Sequence, residues 1–87
     1  MDKETKEGLV ETYLHPNGKV GVLLDVRCET DFAAKTEEFK ELAHELALQI
    51  VKMNPETIGE IMGKLVDECS KKLGEDIVVK RFERYQI

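Results

Sequence analysis

Two residue pairs have the spacing of known metal-binding motifs, and the sequence completes neither motif. Glu41 and His44 stand at the Glu-x-x-His spacing of di-iron helical bundles, but such sites take further carboxylates and a second motif from other helices. His44 and Glu45 also begin like a zinc-protease motif, and no histidine stands at the position that would complete it. The one other histidine, His15, belongs to a predicted turn. We therefore expect a solvated or capping histidine at position 44, no metal site and no cofactor.

The nucleophilic side chains do not form a catalytic arrangement either. A serine hydrolase needs a serine on a strained elbow with a histidine within reach, whereas Ser70, the only serine, is predicted at the exposed end of a helix. Cys28 and Cys69 are far apart, form no Cys-x-x-Cys pair and fall on predicted apolar faces. Buried thiols that act as small hydrophobes explain both cysteines better than redox chemistry does. The sequence also lacks a glycine-rich phosphate loop, so we expect neither an enzyme nor direct binding of a nucleotide.

The best candidate for a functional site is the segment of residues 28–35, between a strand-like run and a long helical pattern. Thr30 or Asp31 can cap a short helical turn there, because either side chain accepts hydrogen bonds from free backbone N–H groups. Phe32 then falls in the first turn. A large apolar ring on such a short, charged turn is either a plug for the protein's own core or a contact for a partner. The spacing of the residues leaves both interpretations open.

The chain before this segment has the pattern of a β-hairpin. Two runs of β-favouring residues flank an Asn-Gly pair, which is expected to supply the positive φ angles of a tight two-residue turn. The second run alternates toward one buried face, but Leu23 adds an apolar side chain to the opposite face. On the first strand, Leu9 and Tyr13 likewise lie on the face opposite to that of Val10 and Leu14, so both faces carry apolar side chains. Both faces of the sheet are therefore expected to be covered.

The chain after this segment has the pattern of two amphipathic helices. Thr36 is the predicted N-cap of the first helix, which ends at Asn54 because the residue before a proline avoids the helical region. Thr57 and Glu60 match a capping box at the start of the second helix, and Gly74 suits the left-handed position beyond its end. A last run of β-branched and aromatic residues indicates a returning strand.

These elements predict an α+β fold in which a three-stranded antiparallel sheet carries helices on one face, in the order β-β-α-α-β. The predicted strands are residues 8–15, 19–29 and 77–86, and the predicted helices are residues 36–54 and 58–73. Residues 1–7 are charged and without periodicity, so we expect a disordered or frayed lead-in to a single domain of residues 8–87. At this size one core supplies only modest stability.

Charge and hydropathy exclude several function classes. The formal net charge of -5 argues against a nucleic-acid-binding protein, although Lys80, Arg81 and Arg84 form a local basic strip along the sequence. The chain begins without an apolar signal core, and no later run is long and apolar enough to span a bilayer. We expect a cytoplasmic protein that binds neither nucleic acid nor membrane.

Residues 28–35, Cys-Glu-Thr-Asp-Phe-Ala-Ala-Lys, together with the helix that follows, resemble the bacterial elongation factor Ts family. The family acts as the nucleotide-exchange factor for elongation factor Tu. The resemblance continues in residues 7–13 and 20–23, in the Met-Asn-Pro of residues 53–55 and in residues 72–82. It therefore covers nearly the whole chain.

The resemblance implies a guanine-nucleotide exchange factor for elongation factor Tu. In that family a Thr-Asp-Phe turn inserts into the G domain of elongation factor Tu and disturbs the magnesium- and phosphate-binding end of the GDP site. Carried over to this chain, the resemblance implicates Asp31 and Phe32 as contacts, with Thr30 shaping the turn. The alternative is a small dimeric interaction or assembly module without exchange activity, and composition and periodicity do not separate the two.

The resemblance is to a minimal core, or dimerisation domain, of the family. Family members usually carry a small helical domain ahead of the first strand and commonly a long insertion after Met-Asn-Pro, and neither is expected in this sequence. Members with a single sheet subdomain pair with a second copy. We therefore expect a homodimer formed by the sheet face that the helices leave uncovered, with Leu9, Tyr13 and Leu23 as candidate contacts.

Three further residues on the first predicted helix fall outside its apolar stripe: His44, Leu48 and Val51. They are either ordinary surface residues or secondary contacts at the edge of a partner interface, and the helical spacing does not decide between these interpretations.

Overall fold

The computed structural model describes residues 5–87. The predicted α+β fold and the order of its elements are confirmed. The predicted short helical turn is present as the helix α1. Residues 1–4 of the predicted lead-in lie outside the described residues, and the first strand begins at Glu7. The elements are β1 (Glu7–Leu14), β2 (Val20–Cys28), α1 (Asp31–Ala34), α2 (Glu37–Met53), α3 (Lys64–Leu73) and β3 (Val78–Gln86).

The sheet is antiparallel in the order β1-β2-β3, so that β2 is the central strand. β1 and β2 pair without interruption from Glu7 opposite Cys28 to Leu14 opposite Gly21. The pairing of β2 with β3 shifts by one residue between Asp25 and Val26. Because β2 is paired along both edges, the segment that follows it leaves the sheet from a fixed position.

The β1–β2 hairpin uses a longer turn than the sequence pattern predicts. The amide of Gly18 donates to the carbonyl of His15 at 2.8 Å, and the amide of His15 donates to the carbonyl of Val20 at 2.9 Å. Gly18 has a φ of 71°, whereas Asn17 is not at positive φ. Pro16 accounts for the difference, since its ring fixes φ near −65° and favours a turn centred on residues 16 and 17. The predicted two-residue turn is therefore wrong.

α2 follows the predicted pattern closely. The hydroxyl of Thr36 accepts a hydrogen bond from the amide of Phe39 at 3.2 Å, which caps the helix. At the other end Asn54 adopts the left-handed conformation, with a φ of 48°. Met53, the last residue of the helix, has helical spacing that would place it on the apolar stripe, but it is 56% exposed. The rest of the stripe is buried against the sheet: Phe39, Leu42, Ala43, Leu46, Ala47 and Ile50.

The second predicted helix, residues 58–73, is interrupted. The capping box of Thr57 and Glu60 is present, but it begins a single 3-10 turn at Ile58–Glu60 rather than a continuous helix. Gly63 then takes an extended conformation and precedes α3. Two glycines within this segment weaken a continuous helix, and the side chain of Ile61 is buried in the core. The weak helix preference of these glycines accounts for the interruption.

The helices cover one face of the sheet, and the core lies between the two layers. Its largest fully buried side chains are those of Phe39, Leu24, Leu46, Ile50, Val26 and Cys28. The opposite face of the sheet carries no helix among the described residues, and its large apolar side chains are exposed: Val10, Leu14, Leu23 and Tyr85. We call this the uncovered face.

The prediction that Leu9 and Tyr13 share the uncovered face with Leu23 is wrong. Directly opposed residues in an antiparallel pair lie on the same face of the sheet. Leu9 is opposite Val26 and Tyr13 is opposite Val22, and both partners belong to the buried core. Leu9 and Tyr13 therefore pack half-buried on the helix side, while Leu23 lies on the uncovered face.

Candidate partner-binding site

The turn after β2 presents Phe32 to solvent. Thr30 is the N-cap of α1, and its hydroxyl accepts a hydrogen bond from the amide of Ala33 at 3.2 Å. Ala33 and Ala34 are buried in the core and anchor α1 to it. Phe32 is 83% exposed. Of the two interpretations that the sequence leaves open, a plug for the protein's own core is therefore excluded. We call residues 29–34 the Phe32 turn.

Asp31 lies beside Phe32 on the same turn. Thr30, and not Asp31, supplies the capping oxygen, so the carboxylate of Asp31 is available for other contacts. It forms an ion pair with the ammonium of Lys35 at 2.9 Å, one helical turn along. The hydrogen bond and the charge of Asp31 raise the pKa of Lys35. Both side chains are largely exposed, and exposed pairs of this kind contribute little to stability. A partner can therefore take the carboxylate at small cost.

Glu75 is a residue of this site that the sequence patterns missed. One of its carboxylate oxygens accepts from the amides of Glu29 at 3.0 Å and Thr30 at 3.1 Å, and the other accepts from the hydroxyl of Thr30 at 2.5 Å. In return, the carboxylate of Glu29 accepts a hydrogen bond from the amide of Asp76. The Phe32 turn is thus tied to the segment between α3 and β3. The one sequence signal for Glu75 is its place in the family-like stretch of residues 72–82.

His44 belongs to a separate group of side chains on the helix side. Its Nδ1 atom lies 3.4 Å from a carboxylate oxygen of Glu11, and its ring centroid lies 6.3 Å from that of Tyr13. Leu48 and Val51 are half-buried on α2, and Val51 packs against the core. Of the candidate secondary contacts, His44 and Tyr13 lie close together on the helix side of the sheet. It places Leu23 on the opposite face of the sheet.

The basic strip of the sequence is divided between the two faces of the sheet. The guanidinium of Arg84 donates to the carbonyls of Ile50 at 3.1 Å and Val51 at 3.0 Å, at the end of α2. Arg81 lies on the uncovered face and donates to the carboxylate of Asp25 at 3.1 Å. Because its two arginines are engaged on opposite faces, the strip does not form one basic surface.

Asp25 is the buried charge of the uncovered face, with 8% of its surface exposed. Arg27 donates two hydrogen bonds to its carboxylate, at 2.9 and 3.0 Å, and Arg81 donates a third. The hydrogen bond from Arg27 lowers the pKa of Asp25, against the effect of burial, which raises it. The uncovered face therefore carries a fixed ion cluster beside its exposed apolar side chains.

The remaining candidates for chemistry are engaged in packing. Cys28 and Cys69 are buried free thiols, and burial raises the pKa of both. The hydroxyl of Ser70 donates to the carbonyl of Glu75 at 2.5 Å, next to the end of α3. Within residues 5–87 no three His, Cys, Asp or Glu side chains are grouped so that they could hold a metal ion.

No helix in the described part of the chain has both the length and the apolar character needed to cross a membrane.

Comparisons with known proteins agree on one family. The family model described as elongation factor TS matches residues 1–60 and 29–87. The elongation factor Ts of Thermotoga petrophila is 40% identical over 96 aligned positions, which cover 95% of this chain and 48% of that protein. That of Moorella thermoacetica is 38% identical, with the same coverage of 95% and 48%. That of Fervidobacterium nodosum is 57% identical over 53 residues, 61% of this chain and 27% of that protein. The chain spans about half or less of the length of these curated relatives.

Proposed function

The chain belongs to the elongation factor Ts family, and we propose that it promotes the release of GDP from elongation factor Tu. The observation that carries the proposal is the exposure of Phe32 on a capped and anchored turn. A small domain gains nothing from an aromatic ring in water, because removal of apolar surface from water is the main source of its stability. Contact with a partner is the use that this position leaves for the ring.

Exchange of this kind needs no covalent chemistry on the chain. The factor has only to bind nucleotide-free elongation factor Tu more tightly than the GDP-bound form, and the coupling is then reciprocal. A thousandfold loss of GDP affinity corresponds to a coupling free energy of about 4 kcal/mol. Burial of one phenylalanine contributes roughly 1.5 to 3 kcal/mol. Insertion of Phe32 into the G domain can therefore supply a large part of the coupling.

Asp31 is the second contact in this proposal. Among the described residues its carboxylate is paired with Lys35 alone, so insertion of the Phe32 turn carries a negative charge toward the magnesium- and phosphate-binding end of the GDP site. A carboxylate close to phosphate groups is repulsive, and a carboxylate close to Mg²⁺ competes with the phosphate ligands. Both effects weaken GDP binding. Thr30 is the third residue of the proposed site, and it shapes the turn through its cap.

We also propose that the chain works as a homodimer in the cytoplasm, where translation takes place. A second copy covers the exposed apolar side chains of the uncovered face, which a small monomer is not expected to leave in water as one patch. The same face favours the alternative function, a dimeric assembly module without exchange activity. The two functions differ in what the Phe32 turn does, since the module would need no exposed ring there.

The test is a mixing experiment with elongation factor Tu that carries a fluorescent GDP derivative. Release is followed after addition of excess unlabelled GDP, with and without increasing concentrations of this chain. We expect the release rate to rise with the concentration of the chain until it saturates. A release rate that stays at its intrinsic value at every concentration would reject the exchange function and leave the assembly module.

A further inference from the structure

We propose that Glu75 is a positioning residue, which holds the Phe32 turn in the geometry that presents Phe32 to the partner. Its effect on nucleotide exchange rests on the proposed function, whereas its effect on the turn does not. Glu75 lies 45 positions from Thr30 in the sequence, in the segment between α3 and β3. Its carboxylate is the acceptor for both backbone amides that follow the last residue of β2.

The hydroxyl of Thr30 links Glu75 to the helix. It donates to the carboxylate of Glu75 at 2.5 Å and accepts from the amide of Ala33 at 3.2 Å. A hydroxyl has one proton and two lone pairs, so the proton directed at Glu75 leaves a lone pair directed at α1. Glu75 therefore fixes the rotamer of the cap, and the cap fixes the first turn of the helix that carries Phe32.

Glu75 is itself held in place by the end of α3. Gly74 takes the left-handed conformation, with a φ of 69°, and its amide donates to the carbonyl of Ser70 at 2.8 Å. The hydroxyl of Ser70 donates to the carbonyl of Glu75. The carboxylate of Glu29 adds a second link between the two segments through the amide of Asp76. The Phe32 turn is thus braced from a separate element rather than by its own few residues.

A braced turn binds a partner better than a mobile one, because less conformational freedom is lost on association. Without the carboxylate of Glu75, two amides and one hydroxyl at the turn must find water instead. The turn then samples several orientations, and only some of them present Phe32. Phe32 would remain exposed, but it would no longer be held in the orientation that contacts the partner.

The chain offers a matched control in Glu60. The carboxylate of Glu60 accepts from two consecutive amides, Glu56 at 2.6 Å and Thr57 at 2.8 Å, and from the hydroxyl of Thr57 at 3.3 Å. Glu75 accepts from the same kinds of donor, two consecutive amides and one hydroxyl, in a different loop. Glu75→Ala and Glu60→Ala therefore remove equivalent hydrogen bonds, and only the first should affect the Phe32 turn.

The first measurement is amide hydrogen exchange of the free chain by NMR, read at Ala33. Its amide contacts Thr30 and not Glu75, so it reports on the turn rather than on the deleted hydrogen bonds. We expect Glu75→Ala to raise exchange at Ala33 about tenfold, and Glu60→Ala to leave it unchanged. Glu75→Gln keeps an oxygen that accepts the two amides, so it should restore part of the protection. If Glu75→Ala does not fold, Glu75→Gln is compared with Glu60→Gln, because the NH2 group of the glutamine cannot accept the hydroxyl proton of Thr30 and exchange at Ala33 should still exceed that in Glu60→Gln. Equal protection at Ala33 in the two matched variants would overturn the proposal.

The second measurement is GDP release from elongation factor Tu in a double-mutant cycle with Phe32→Ala. We expect Glu75→Ala to lower the stimulated release rate about tenfold when Phe32 is present and less than twofold when it is absent. A substitution that only destabilises the fold would lower both rates by the same factor, and that result would overturn the positioning role. If the unaltered chain does not stimulate release, the proposed function fails, while the protection at Ala33 still decides whether Glu75 holds the turn.

Discussion

At the scale of single residues, the neighbours of Phe32 explain how an exposed aromatic ring is tolerated. Ala33 and Ala34 carry the core contacts of α1, and Thr30 supplies its cap. Phe32 adds no burial of its own, since 83% of its surface is in water. Thr30, Ala33 and Ala34 thus stabilise the turn, whereas Phe32 is exposed on it and does not. Phe32 can change without loss of the fold.

Phe32→Ala is therefore expected to reduce GDP release from elongation factor Tu without destabilising the protein. Surface substitutions usually change the free energy of unfolding by less than about 0.5 kcal/mol, so the melting temperature should stay nearly constant. Phe39→Ala is the control, because Phe39 is fully buried in the core and its truncation should cost about 3 to 5 kcal/mol. Thermal melts and release rates are measured on both variants. A large loss of stability in Phe32→Ala, with normal release from the folded fraction, would contradict the assignment.

At the scale of elements, the local chemistry of the sequence predicted several caps but not the contacts between residues that are far apart in the chain. The caps at Thr36 and Thr57 are where the sequence pattern predicts them. The face on which Leu9 lies could not be predicted, because one step of register moves a whole strand to the other face. The link from Glu75 to the Phe32 turn joins positions 45 apart, and no local pattern contains it.

The end of α2 shows a second long-range link, which gives a prediction at this scale. The guanidinium of Arg84 on β3 donates to two carbonyls at the end of the helix, those of Ile50 and Val51. The carbonyl of Ile50 also accepts from the amide of Asn54 at 3.0 Å, and a cation at the end of a helix suits the helix dipole. Arg84→Met should lower the free energy of unfolding by about 1.5 to 3 kcal/mol, the usual range for a hydrogen bond to a charged group.

Urea denaturation measures this loss, and Arg81→Met is the matched control. Arg81 is also an arginine on β3 with a hydrogen-bonded partner, but its side chain is 79% exposed and it shares Asp25 with Arg27. The control should therefore lose less stability than Arg84→Met. A loss in Arg84→Met no larger than that in Arg81→Met would show that the hydrogen bonds of Arg84 to α2 contribute no more than the exposed ion pair of Arg81.

At the scale of the whole molecule, residues 5–87 form two layers and leave one side of the sheet without a helix. Leu23 belongs to the central strand, β2, and its side chain lies on the uncovered face. The ion cluster of Asp25, Arg27 and Arg81 occupies the same face, and the lowered pKa of Asp25 keeps its carboxylate charged. Apolar side chains beside a satisfied ion cluster are suited to a second protein surface, because the cluster brings its own partners into the interface.

The last prediction follows from this face: the chain is a homodimer, and Leu23→Glu converts it to a monomer. A dimer with two-fold symmetry buries the same patch from both copies, so each substitution places two new charges in one interface. Burial of a charge without a partner is strongly unfavourable. Met53→Glu is the control, since Met53 on α2 is 56% exposed and Leu23 is 50% exposed. Light scattering at high micromolar concentration should give a dimer for the unaltered chain and for Met53→Glu, and a monomer for Leu23→Glu. A monomer in all three samples would mean that the uncovered face stays in water, and dissociation by Met53→Glu alone would move the interface to the helix layer.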